Sequence, residues 1–297
     1  MKKLNLNKFA TPVLFAAAII WGSAFIVVKE SVDSIPTNWI LFMRFGIAAI
    51  FLSAVFWKRL KKIDRKHLLG SFWVALTLYI AYILQTVAIK YTSPGKNAFI
   101  TAAYCVMVPF LIWIFHKKRP DKFNIIAAVV CIIGIGLTAV NPSEALSINK
   151  GDALTFLCAI FFALQILAID NAVKDCDPVL ITILQFAFGA VFALIGALIF
   201  EQPPTMFGKS EIFCTLYLGI MSSGVATLCQ IVGQKYAASQ SSAAIILSLE
   251  SVFGIIFSVM FGYEKLTALM AIGFALIFAA VVTSETKLDF FKRKVRC

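Results

Sequence analysis

Two ionisable side chains stand inside long apolar runs of this chain, and that placement limits what they can do. Glu250 lies within Leu247-Ser248-Leu249-Glu250-Ser251-Val252-Phe253, the only carboxylate deep in any such run, and Arg44 lies within Met43-Arg44-Phe45. Charges in apolar surroundings are costly enough to be rare and to mark function. A carboxylate there favours its neutral form, so Glu250 could carry a proton or serve as a structural clip that donates a hydrogen bond to a neighbouring helix. Arg44 could snorkel towards water or hold a substrate carboxylate or phosphate through a bidentate bond. Gln85, Gln165 and Gln230 add amides, and Ser222, Ser223, Thr227, Ser248 and Ser251 add hydroxyls. Trp21, Tyr79, Tyr82 and Tyr104 are aromatics with a polar tip, which suit the wall of a pocket for amphipathic solutes.

Enzyme chemistry finds little to work with. The two histidines, His67 and His116, lack the spacing of a metal motif, so no metal site is expected. No Gly-rich phosphate loop follows a strand, no soluble domain is expected, and no cofactor is implied. The seven cysteines, Cys105, Cys131, Cys158, Cys176, Cys214, Cys229 and Cys297, are odd in number and fall mostly within apolar runs, which argues against a disulfide framework.

The elements that must position these residues are ten apolar runs, each about long enough to cross a ~30 Å hydrocarbon core. They are Phe9–Val28, Trp39–Trp57, Leu68–Ile89, Ala98–Phe115, Phe123–Val140, Ala153–Ile169, Val179–Phe200, Ile212–Val232, Ala243–Tyr263 and Leu266–Thr283. With 61% hydrophobic and 14% charged residues, a water-soluble chain would expose far more apolar surface than one core can hide. The runs lack the period-2 alternation of a membrane barrel, so helices, which satisfy their own backbone in lipid, are expected. Trp39, Trp57 and Trp113 near the ends of runs fit interfacial belts. The first run follows Met1-Lys2-Lys3 and resembles a secretory signal, but it is long for one and has a partner in the second half, so it is expected to remain as a helix.

The net charge of +12 is a topology signal rather than a nucleic-acid footprint. Of the 27 Lys and Arg, twenty gather on one side, led by Lys58, Arg59, Lys61, Lys62, Arg65 and Lys66 after the second run and Lys117, Lys118, Arg119 and Lys122 after the fourth. Six lie opposite: Lys29, Lys90, Lys96, Lys150, Lys209 and Lys265. The positive-inside rule then puts both termini in the cytoplasm. Anionic lipid headgroups fit the basic side.

The second five runs repeat the first five. Shifting the chain by 145 places Gln85, Val87, Lys90, Tyr91, Ala98 and Ile100 on Gln230, Val232, Lys235, Tyr236, Ala243 and Ile245. A shift of 141 places Phe45, Ala49 and Phe51 on Phe186, Ala190 and Phe192, and pairs Arg44 with Gln185. Five is odd, so the copies must be inverted: an all-α integral membrane fold of ten helices, residues 1–141 forming one five-helix unit and 142–297 the other with a basic tail. Inverted repeats favour alternating access at a site between the halves. Pro109 and Gly254, which align in the repeat, are expected to interrupt the fourth and ninth runs and to act as hinges.

Trp21-Gly22-Ser23-Ala24-Phe25, Arg44-Phe45, Pro109 after Tyr104-Cys105-Val106-Met107-Val108, and Leu249-Glu250-Ser251-Val252-Phe253 followed by Gly262-Tyr263-Glu264 resemble the drug/metabolite transporter superfamily, EamA type. The resemblance covers essentially the whole chain. It implies a ten-helix basket with a central cavity, exchanging small metabolites, often amino acids or related compounds and often outwards, across a cytoplasmic membrane. The matching positions are Trp21, Arg44, Pro109, Glu250 and Glu264, the last at the external end of its helix and expected to be a structural cap or loop anchor. One departure is Ser251, where the family often has Pro. The expected function is therefore a multi-pass carrier of small solutes, with proton coupling open and no nucleic-acid partner. A channel-like facilitator and a non-transporting scaffold remain the alternatives.

Overall fold

The computed structural model describes residues 6–139, 150–204, 208–263, 265 and 267–286, and all its regular elements are helical. In chain order they are α1 (Leu6–Ser31), α2 (Thr37–Val55), a short 3₁₀ turn (Leu60–Lys62), α3 (Arg65–Ala88), α4 (Pro94–Thr101), α5 (Tyr104–His116) and α6 (Lys122–Ala139). There follow α7 (Lys150–Ala172), α8 (Pro178–Phe200), α9 (Lys209–Leu216), a π-helical segment (Tyr217–Ala226), α10 (Thr227–Tyr236), α11 (Gln240–Leu247), α12 (Glu250–Met260) and α13 (Ala268–Thr286). Eight stretches are long and apolar enough to cross a membrane, with α4–α5, α9–α10 and α11–α12 each serving as one. In α6 and α13 the apolar stretches among the described residues are shorter, Lys122–Gly134 and Ala271–Ala280.

Burial runs opposite to that of a water-soluble protein. Arg44, Gln165, Gln185, Ser222 and Ser223 are buried, while Phe200 is 79% exposed and Ile50 73%. Such a surface is stable only against lipid, which is the physical reason for the high apolar content.

Local sequence sets the helix ends. Asp64 caps α3 by accepting from the His67 N–H, Ser93 caps α4 ahead of Pro94, and Asp177 caps α8 ahead of Pro178. Proline in the first turn loses nothing, because its missing N–H would be unpaired there anyway. The α2 N-terminus, preceded by Pro36, has no cap of its own. Glu201, at the end of α8, reaches across to accept from the Asn38 N–H at 2.8 Å and the Trp39 N–H at 3.3 Å.

The packing maps onto itself when the two halves are exchanged. α3 packs on α7 and α8, as the π segment and α10 pack on α1 and the π segment on α2. α4 and α5 meet α7 as α11 and α12 meet α1, and α2 meets α8 and α6 meets α13 as self-related pairs. Small residues allow the closest approaches. A Cβ on Gly22 would fall 2.4 Å from the Phe253 Cβ and 2.8 Å from the Gly254 nitrogen, and one on Gly254 would fall 2.9 Å from the Ala98 Cβ.

The fourth and ninth spans are interrupted, but not at Pro109 and Gly254. Pro109 lies inside the continuous α5 and Gly254 inside α12. The breaks lie at Ala102–Ala103 and Ser248–Leu249, positions that nearly coincide under the repeat. At each the helix tightens into i→i+3 bonds: Ala103 N–H to Ile100 O at 3.1 Å, and Leu249 N–H to Ile246 O at 3.2 Å. Neither break contains a proline. Ser248 and Ser251 donate their hydroxyls to Ile245 O and Ser248 O at 2.7 and 2.8 Å, bonds that compete with the helix ladder and bend it. Gly254 instead serves as the close contact with α1 and α4. Glu264 lies outside the described residues.

Candidate functional site

A cavity of about 40 Å³ lies at the centre of the bundle, where α1, α2, α3, α7, α10, the π segment and both helix breaks converge. Nine of the ten candidate binding residues line it: Trp21, Arg44, Tyr82, Gln85, Tyr104, Gln165, Ser222, Gln230 and Glu250. The tenth, Tyr79, does not. Its hydroxyl donates to Asn38 Oδ1 at 2.9 Å beside Glu201, because the cavity face of α3 is the Leu78, Tyr82, Gln85 stripe and Tyr79 falls beside it. Thr101, Phe162 and six apolar residues, Ala24, Phe25, Val28, Leu78, Ile89 and Ile166, complete the wall and are not among the sequence candidates. Phe162 has a signal in the sequence, as the counterpart of Trp21 under the shift of 141, whereas Thr101 is marked only by the structure, where it accepts from Gln85 Nε2 at 3.1 Å.

The lining is drawn from related positions of both halves. Trp21 and Phe162, Ala24 and Gln165, Phe25 and Ile166, and Gln85 and Gln230 are repeat partners, and all eight face the cavity. Helical faces that coincide under the repeat thus enclose one space from two sides.

Arg44 is held by the partner half. Its Nε donates to Ser223 Oγ at 2.9 Å and its Nη2 to Ser222 Oγ at 3.0 Å, while the guanidinium lies 4.4 Å from the centroid of the Tyr82 ring. Two consecutive serines can serve one guanidinium because they sit in the π segment, whose wider turn brings neighbouring residues closer to one face; such segments recur at functional sites. The π segment is tied to α1 as well. Trp21 Nε1 donates to the Ser222 carbonyl at 3.0 Å, and Ser23 and Tyr217 share a hydroxyl–hydroxyl hydrogen bond.

Glu250 opens α12 directly after the break and faces the Tyr104 side chain, which opens α5 after the other break. The Tyr104 hydroxyl has no partner at hydrogen-bond distance. Gln230 Nε2 donates to Gln165 Oε1 at 3.2 Å, leaving the Gln165 Nε2 unpaired as well. Neither Arg44 nor Glu250 forms an ion pair among the described residues. The cavity therefore holds a cation and a carboxyl group apart across aromatic walls, with room for about three water molecules at ~10–15 Å³ each. Among the described residues no cluster of His, Cys, Asp and Glu could hold a metal ion, and the six described cysteines are free.

A profile of the EamA-like transporter family matches residues 8–140 and 149–285. An uncharacterized transporter of Archaeoglobus fulgidus is 33% identical over 273 residues, 91% of this chain and 83% of that protein. The uncharacterized transporter YoaV of Bacillus subtilis is 24% identical over 95% of this chain and 98% of its own, and protein PagO of Salmonella typhimurium is 24% identical over 94% of each. A solved crystal structure superposes with a TM-score of 0.76 at 16% identity, covering 93% of this chain and 98% of that one, and so shares the fold. Matched twice along its length by one family profile, and carrying its polar groups in the interior of a lipid-facing bundle, the chain belongs to the EamA-like transporter family: it is a multi-pass membrane transporter of small molecules and not an enzyme.

Proposed function

We propose that the protein is a secondary carrier of small zwitterionic, amphipathic metabolites, amino acids and their derivatives above all, which it exports by alternating access. The observation that carries this reading is the separation of Arg44 and Glu250 across one aromatic-lined cavity without an ion pair between them. A buried cation and a buried carboxyl group without an opposite charge beside them are costly, and a solute with a carboxylate and an ammonium group would give each one. The two serine bonds use Arg44 Nε and Nη2, so Nη1 takes the carboxylate; Glu250 takes the ammonium group. At its present size the cavity holds water rather than an amino acid, so the helices around it must part to admit solute. The two breaks supply the places where the fourth and ninth spans can bend.

Residues 1–141 and 142–297 act in this reading as two inverted five-helix units spanning the membrane ten times. Both termini lie in the cytoplasm, on the side where the basic loops gather, and the membrane is the cytoplasmic one. Exchange of conformations between the units then opens the site to one side or the other.

The test is counterflow in proteoliposomes preloaded with amino acids and small metabolites, with protein-free liposomes as control. Saturable, trans-stimulated uptake of a zwitterion supports the reading. Flux without trans-stimulation would make the protein a channel, and none with folded protein would leave a scaffold. Proton coupling is read in the same vesicles: if the carboxyl group carries the proton, Glu250→Gln abolishes accumulation against a gradient while equilibrative exchange persists with a raised KM, because the ammonium group has lost its charged partner.

A further inference from the structure

A second, larger space lies at the basic end of the bundle. A vestibule of about 680 Å³ is enclosed by the ends of α5, α7 and α10 and the starts of α6 and α11. Its walls carry four cations, Lys118, Arg119, Lys174 and Lys235, against two carboxylates, Asp121 and Asp170. The carboxylates are already engaged. Asp170 pairs with Lys174 at 3.3 Å and accepts from Gln240 at 2.8 Å, and Asp121 accepts from the Asn124 N–H at 2.9 Å. Among the described residues Lys118 and Arg119 have no carboxylate partner, and Arg119 is braced 5.5 Å from the centroid of the Trp113 ring. Lys235 is oriented by the Cys176 carbonyl at 3.3 Å.

The floor of this vestibule is the far side of the central cavity. On α10 Gln230 lines the cavity and Gln234 the vestibule; on α7 Ile166 lines the cavity and Asp170 the vestibule. Four residues of helix separate the spaces, roughly 6 Å, and the Gln165–Gln230 amide pair lies on the cavity side of that layer.

We propose that the vestibule is a second solute site, binding the carboxylate of the transported molecule through Arg119 and Lys118 before it passes the amide pair into the central cavity. It rests on the carrier reading above for its place in transport, but its own chemistry is separate. The guanidinium offers a carboxylate two parallel donors, and the lysine beside it adds charge. An anion also gains from the net charge of the walls, and the volume is ample for an amino acid where the central cavity is not.

The experiment reads the site without transport. In a background with Cys214, Cys229 and Cys297 replaced by serine, Ala238→Cys places a thiol on the exposed vestibule wall. The protein is held in nanodiscs of zwitterionic lipid and reacted with anionic and cationic methanethiosulfonates of matched size. Two net positive charges at about 8 Å, screened at ordinary salt, should favour the anionic reagent about fivefold over its ratio on a free thiol. Lys118→Gln with Arg119→Gln should bring the ratio near unity. Acetate should slow the anionic reagent more than chloride at equal ionic strength, and acetamide should not. No anionic preference, or no protection by acetate, overturns the proposal. Protection by phosphatidylglycerol in the disc with none by acetate would make the vestibule a lipid headgroup site and overturn it equally. A protein that moves no zwitterion in counterflow ends the carrier reading and leaves this result intact.

Discussion

Replacing Arg44 with methionine separates the two roles that a buried arginine can have. The side chain makes two charge-assisted hydrogen bonds, to Ser222 and Ser223, and stacks on Tyr82. Bonds of that kind contribute roughly 1.5–3 kcal/mol each and the stacked cation about 0.5–2 kcal/mol. Against them stands the desolvation of the guanidinium, several kcal/mol for a buried ion. These largely cancel, and methionine fills a similar length with apolar atoms. Arg44→Met should therefore leave the folded state within about 2 kcal/mol of wild type. Its effect on a carboxylate-bearing solute is different in kind. Removing one partner of a desolvated charge pair costs about 2–4 kcal/mol, or roughly 30- to 1000-fold in apparent affinity.

The assay is counterflow with an amino acid and with the amine that lacks its carboxylate, alongside thermal unfolding of each variant. Arg44→Met should raise the KM of the amino acid by that factor and leave the amine within about threefold, less than 1 kcal/mol. Arg44→Lys keeps the charge and loses the fork, so it should fall between. Equal weakening of both solutes by Arg44→Met would refute the reasoning, because Arg44 would then be acting only by bracing the π segment.

Three further outcomes follow from the packing and the caps. Gly22→Ala drives a Cβ into the backbone of α12, 2.8 Å from the Gly254 nitrogen, and should destabilise by about 1–3 kcal/mol; Gly46→Ala, with nothing within 4 Å, should be neutral or stabilising in the same thermal assay. Gln185 is buried with both amide atoms unpartnered. Gln185→Leu should stabilise the protein by about 1–3 kcal/mol, and a loss of stability would mean that the amide is satisfied in the folded protein. The Asp64 carboxyl is held below its usual range by the backbone N–H of His67 and then by the His67 side chain. Its contribution to stability is therefore present above the unfolded value near ~3.9 and disappears as the pH falls through the lower folded value; Asp64→Asn should flatten the acid limb of the unfolding curve, and an unchanged limb would remove the cap from the account.

The sequence makes the helices legible because lipid enforces one rule over their whole length, and the repeat makes the cavity partly legible because related faces converge. Gln85 pairs with Gln230 in the sequence alone, as does Arg44 with Gln185. The breaks could not be placed. Ala102 and Ala103 are good helix formers, and their tightened turn comes from packing rather than from a breaker residue. Proline and glycine make Pro109 and Gly254 the expected interruptions, but one missing donor is tolerated within α5, and Gly254 is needed for close contact. The rotation of Tyr79 out of the cavity depends on where the α3 stripe points, a tertiary fact. The π segment likewise has no sequence mark beyond its small residues, Gly219, Ser222, Ser223 and Gly224. The vestibule is built from helix ends and connections, where periodicity carries no information.

The repeat is most informative where it fails. On the alternating-access reading, a scaffold of identical halves would give two opposite states of equal energy, and differences between partner residues set the bias. Arg44 has two hydroxyl acceptors on a π segment, whereas Gln185 is unpartnered and the stretch related to the π segment, residues 72–81, is regular α-helix. Exchange of conformations would offer Gln185 the Thr77 hydroxyl in place of the serines and would take Arg44 away from them. The first change relieves the protein and the second costs it, so they oppose each other. That opposition keeps the two states within reach: shifting a population from 1:99 to 99:1 takes about 5.5 kcal/mol, and an uncompensated loss of both Arg44 bonds would use most of it. A solute carboxylate on Arg44 could make up that loss during the change, which couples movement of the helices to occupancy of the site. Gln185→Leu removes only the opposing term, and so should hold the carrier in the arrangement described here and slow counterflow while leaving solute binding intact.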